Sequence, residues 1–129
     1  MHIEHLAIWV RDLDLMKIFY CKYFQATAGS VYLNPVKLFE TIFLTFESGP
    51  RIELMKMPGI PLTANDPYKQ FSGLVHFAIS VGSAHKVDEL ADLLKSDGYE
   101  LIDGPRLTGD GYYECVVFDP EQNRVEITA

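Results

Sequence analysis

Cysteine is scarce in this chain: Cys21 and Cys115 are the only two in 129 residues. Two thiols make neither a disulfide-stapled scaffold nor a thiolate metal cluster, so both are expected to be reduced and mostly buried. No apolar run reaches the length of a membrane span. The N-terminus has no basic stretch followed by a hydrophobic one, so a cytoplasmic location is expected. Basic residues are also few, 11 Lys and Arg against 18 Asp and Glu, and they are scattered. A net charge of -7 without a basic patch argues against nucleic acid as a partner. Nucleophilic-hydrolase signatures are missing too. There is no Gly-x-Ser-x-Gly, and neither cysteine has a histidine close in sequence. Gly109-Asp110-Gly111 is too short to be a phosphate-binding loop.

What remains is ordinary globular material, 48% hydrophobic and 22% charged, in a length that suits one domain with a substantial core. Residues 3–10 alternate as a strand, with Leu6, Ile8 and Val10 on one face and His5, Ala7 and Trp9 on the other. Asp12 can cap a helix running to about Phe24, with Leu15, Ile18, Phe19 and Tyr23 at helical spacing. A strand is expected from Thr27 to Leu33, another from Phe39 to Glu47, and a third from Arg51 to Met57. The second half follows the same order. A strand from Leu74 to Val81 precedes a helix striped by Val87, Leu90, Leu93 and Leu94. Strands are then expected at Tyr99–Asp103, Tyr112–Phe118 and Arg124–Thr128, with Gly104-Pro105 opening a loop. The fold class is therefore α+β, two β-α-β-β-β modules at about 1–57 and 74–129. The Pro-containing stretch of about 58–73 serves as linker and functional cover.

The two modules repeat each other in sequence. Ile3–Val10 reads IEHLAIWV and Leu74–Val81 reads LVHFAISV; Arg51–Leu54 reads RIEL and Arg124–Ile127 reads RVEI. His5 thus aligns with His76, and Glu53 with Glu126. Alternation puts each of the four on the face opposite the helix-packing residues. One strand histidine, or one strand glutamate, is more often structural or solvated than a ligand. Two imidazoles and two carboxylates at matched positions of a repeat are a different matter. They form a ligand set suited to one divalent metal. His2 and His85 have no counterparts and read as solvated; Glu4, Asp12 and Asp14 read as surface or capping charges.

These features together resemble the vicinal oxygen chelate superfamily, which includes glyoxalase I, epimerases, extradiol dioxygenases and antibiotic-binding proteins. The resemblance spans nearly the whole chain. It rests on the opening IEHLAIWVRDLD with a following FY in the helix, on LVHFAISV, and on the closing FDPEQNRVEI. In that last motif Gln122 stands where the family usually has glycine. The resemblance implies paired modules forming a cup-shaped mixed sheet with the helices outside, around one metal held by His5, Glu53, His76 and Glu126. This His/Glu/His/Glu set is similar to that of the nickel- or cobalt-preferring glyoxalases, with zinc, iron or manganese as further candidates. It implies a lyase or isomerase, with Glu53 and Glu126 as catalytic carboxylates that shift a proton next to a carbonyl. A non-catalytic drug- or metabolite-binding protein and a metal-dependent dioxygenase are the alternatives. Trp9, Arg11, Met55 and Tyr113 are expected to meet a small-molecule substrate. Trp9 and Met57 stand where glyoxalases place polar contacts to glutathione. Free sheet edges, and the habit of such proteins, imply a homodimer.

Overall fold

A computed structural model describes residues 1–129. The chain divides into two compact units, Met1–Ala64 and Asn65–Ala129, so the expected linker is shared between them. No helix is long and apolar enough to cross a membrane. Each unit lays one helix against one mixed sheet, an α+β arrangement of paired modules.

In the first unit, β1 (His5–Trp9) runs parallel to β5 (Arg51–Lys56), which pairs antiparallel with β4 (Phe39–Thr45). Helix α1 (Leu13–Phe24) starts at Asp12, whose Oδ1 accepts from the Leu15 N–H at 2.9 Å. It ends where Gln25 turns left-handed, at φ 56°. Its buried residues are Leu13, Met16, Phe19, Tyr20, Tyr23 and Phe24. They pack towards Ile42, Leu44, Ile52 and Leu54 on the sheet. Leu15 and Ile18, expected on that stripe, are exposed instead. The helix is apolar on more than one side, and the face with four aromatic rings buries the larger area.

The strand expected from Thr27 to Leu33 is two short ones, β2 (Thr27–Ala28) and β3 (Tyr32–Asn34). Both pair with β4, at separate places, and the Gly29 N–H donates to the Phe43 carbonyl between them at 2.9 Å. The chain leaves the ladder between the two and rejoins it further along.

In the second unit, β6 (Phe77–Ser80) runs parallel to β9 (Arg124–Thr128), followed by β8 (Tyr113–Phe118) and β7 (Leu101–Leu107). Helix α2 (Ala84–Ser96) is capped by Ser83 and buries Val87, Ala91 and Leu94 against Cys115, Val117, Val125 and Ile127. Leu93, expected to be inside, is exposed, and Ala91 is buried on the stripe with Val87 and Leu94. β6 begins at Phe77, so His76 immediately precedes the strand.

Gly104-Pro105 is not the start of a loop. β7 runs through it, by way of two register shifts that accommodate a residue with no N–H to give the ladder. Gly104 has φ +76°, and a Cβ there would stand 2.5 Å from the Glu114 carbonyl oxygen. Only glycine fits that approach.

The turn before β9 is built on a buried carboxylate. Asp119 Oδ1 accepts from the Glu121 and Asn123 N–H groups, each at 2.9 Å, and Oδ2 from the Asn123 side chain. Gln122 sits at φ 67°, which explains why glycine is the easier residue at that place. This turn sets the register that delivers Glu126.

Candidate metal centre

The face of each sheet turned from its helix carries one histidine–glutamate pair. In the first unit the register sets Ala7 beside Glu53, and the small side chain leaves the carboxylate room. Phe43 lies on the other side of Glu53. Glu53 Oε1 accepts from the Thr41 hydroxyl at 2.8 Å, while Oε2 faces His5 Nε2 at 3.5 Å. The Glu53 side chain is 15% exposed, and Thr41 is buried beside it. The ring of His5 meets Phe43 edge-on, with centroids 5.5 Å apart.

The other ring nitrogen of His5, Nδ1, bonds to the Glu4 carboxylate, which also receives Arg51. The His5 bond, ahead of the Arg51 guanidinium, holds the Glu4 carboxyl below its ordinary value. A carboxylate on Nδ1 fixes the tautomer in which Nε2 keeps its lone pair, the form a metal ligand needs. Glu4 is exposed, as expected of a surface charge, and it also binds His5 and Arg51. Its place next to His5 was the available signal.

In the second unit, Ala78 is again the small neighbour in register, here beside Glu126. His76 Nε2 lies 3.3 Å from Glu126 Oε2. Glu114, opposite Thr128, shares the face with Glu126. Burial, and then the charge of Glu126, push the Glu114 carboxyl above its usual value, with Arg106 opposing. Arg106 is itself held by Asp103 through Nε at 2.9 Å and Nη2 at 2.6 Å. Sequence reasoning missed Glu114. It is the counterpart of Thr41, each standing two residues before the residue that faces the ligand glutamate.

The structure thus brings His5 to Glu53 and His76 to Glu126. No three or more His, Cys, Asp or Glu side chains gather as a metal-binding group. Each pair offers an imidazole nitrogen and a carboxylate oxygen, donors that suit a divalent metal. Ligands about 2.1 Å from one metal at right angles stand roughly 3 Å apart, close to both observed separations. Trp9, in register with Met55, is 42% exposed and meets Phe39 at a centroid distance of 6.0 Å. Arg11 lies exposed beyond the end of β1. Tyr113 alternates with Glu114 onto the helix side, where its hydroxyl donates to Asp88 Oδ1 at 2.7 Å. It is not among the residues near Glu126.

The profile of the Glyoxalase/Bleomycin resistance protein/Dioxygenase superfamily matches residues 2–127. Among solved structures, the trypanothione-dependent glyoxalase I of Leishmania major is similar at 22% identity and a TM-score of 0.76, over 99% of this chain and 86% of that one. A glyoxalase family protein of Enterococcus faecalis is 22% identical with a TM-score of 0.77, over 99% and 97% of the two chains. A superfamily domain from Frankia sp. EAN1pec is 19% identical with a TM-score of 0.81, over 99% and 96%. Comparison with curated proteins gives no match.

Proposed function

The chain belongs to the Glyoxalase/Bleomycin resistance protein/Dioxygenase superfamily, and from that premise we propose that it is a metal-dependent lyase or isomerase of the glyoxalase type. The observation that carries the reading is the duplicated pair, His5 with Glu53 and His76 with Glu126, at matched register positions. The proposal assigns all four to one divalent metal, nickel or cobalt before zinc, iron or manganese. When bound, such a metal would supply Lewis-acid stabilisation of negative charge on two adjacent substrate oxygens.

The residues divide the remaining work. His5 and His76 offer ring nitrogens, that of His5 oriented by Glu4. Glu53 and Glu126 are the carboxylates available to take a proton beside a carbonyl and return it to the neighbouring carbon. Thr41 ties down one oxygen of Glu53, which favours Glu53 as the steadier ligand. Glu126 is the preferred base. Trp9, Met55 and Arg11 are assigned to the substrate. The protein is proposed to act as a homodimer.

A binding module of the same superfamily is the second reading, favoured by the exposed Trp9 next to Phe39. A dioxygenase fits less well, because Glu53 would fill a position that oxygen requires. Metal analysis after reconstitution separates the first two. One metal per site is expected, lost in His5→Ala and His76→Ala, with turnover of 2-oxoaldehyde adducts of small thiols other than glutathione collapsing in Glu126→Gln. Protein that binds no divalent metal would leave the binding module standing.

A further inference from the structure

We infer that the sheet face beside His5 and Glu53 takes a flat apolar group, so that the substrate is a small oxygenated molecule bearing an aromatic substituent. The inference rests on the proposed reading of His5 and Glu53 as the metal-binding end.

Trp9 follows Ala7 on the same face of β1, so it stands two residues, roughly 7 Å, along the strand from the level of Glu53. That is within reach of a substituent attached next to metal-facing oxygens. At the Trp9 level the register supplies Met55 and Thr41. The Thr41 hydroxyl is already engaged by Glu53. No charged side chain stands between Trp9 and Glu53 in this register. Glu40 and Lys56 pair with each other and alternate to the other face, where Lys56 acts on Asp14 of α1. Phe39 meets Trp9 at 76°, so the indole is propped by a ring edge while much of it faces solvent. A propped, wet indole next to a thioether is a stacking surface, and an aromatic ring is the group that gains most from it. A charged chain would lose hydration there without a partner.

The test uses mandelate and lactate, which share a 2-hydroxycarboxylate and differ as phenyl against methyl. Trp9 is the only tryptophan, so its fluorescence reports the site directly. Binding is measured with and without nickel, by fluorescence in the unaltered protein and by calorimetry in Trp9→Ala and Met55→Ala. Mandelate is expected to bind about tenfold or more tightly than lactate, from the extra apolar area buried. Both substitutions should shrink that preference, while nickel affinity holds. Equal affinities, no mandelate binding at millimolar concentration, or a preference that survives Trp9→Ala would overturn the inference. So would a Trp9 emission that follows protein concentration and ignores mandelate, which would assign the face to a second copy of the chain. Failure of the metal reading shows separately, as absent nickel binding, and the nickel-free arm still decides the aromatic preference.

Discussion

The Thr41 hydroxyl donates to Glu53 Oε1 at 2.8 Å, and the matching position of the second unit holds Glu114 beside Glu126. The two copies of the repeat keep their histidine and glutamate but differ in what supports the carboxylate. One support is a neutral donor that fixes Glu53. The other is a second carboxyl, which leaves Glu126 in a more negative setting. On the proposed function, this difference is the reason Glu53 is assigned to holding the metal and Glu126 to the proton.

Thr41→Val should separate support from fold. The swap keeps the shape and removes the hydroxyl, so Glu53 loses its anchor. Metal affinity should fall by about tenfold or more, as it usually does when a ligand's supporting hydrogen bond is removed. Competition with a chromophoric chelator reads the change, and unaltered affinity would show that Thr41 does not orient Glu53.

Gly104→Ala should be costly. Its Cβ would meet the Glu114 carbonyl at 2.5 Å at a backbone angle that alanine rarely adopts. A loss of about 2 kcal/mol or more is expected, since strain and a backbone clash add. A thermal melt within a degree of the parent would contradict the account of β7.

The two thiols should react differently. Burial, more than the nearby carboxylates, pushes Cys115 up to about 11. Its thiolate is therefore scarce at pH 8 and becomes appreciable only as the pH rises towards that value. Cys21, only partly covered on α1, should be modified first by a disulfide reagent. One fast equivalent in the native protein and two in denaturant are expected. Equal rates for both thiols would mean that the sheet–helix interface opens readily.

The protein should be a poor catalyst with the glutathione hemithioacetal of methylglyoxal. Trp9 is an exposed indole and Met57 a thioether, neither suited to a charged tripeptide. Each unmatched polar group costs about 1–3 kcal/mol. Two such losses come to roughly a hundredfold or more in binding, since about 1.4 kcal/mol is tenfold. Assays after loading with nickel, cobalt or zinc test this, and brisk turnover with any of them would show that Arg11 or the loops supply the contacts.

A homodimer should sediment at micromolar concentration. β1 and β6 each have one unpaired edge in their own sheets, and Val31, Tyr32, Leu33, Val36 and Leu38 are exposed around the β3–β4 hairpin. A monomer across the concentration range would remove the claim.

The sequence by itself determined the repeat, most of the element order and the faces of the key residues. Strand alternation has a period of two, so placing Ile52 and Leu54 under the helix leaves Glu53 on the other side, and Val125 and Ile127 do the same for Glu126. The helix cap at Asp12 was legible because capping is local chemistry. Tertiary structure decided what depends on packing between elements. It chose which apolar stripe of α1 is buried, carried β7 through Gly104-Pro105, and sent Tyr113 to Asp88 on the helix side. It also joined Thr41 to Glu53 and Glu114 to Glu126. Those partners come from neighbouring strands whose register is set by turns and bulges, and register is a long-range property that no single segment carries.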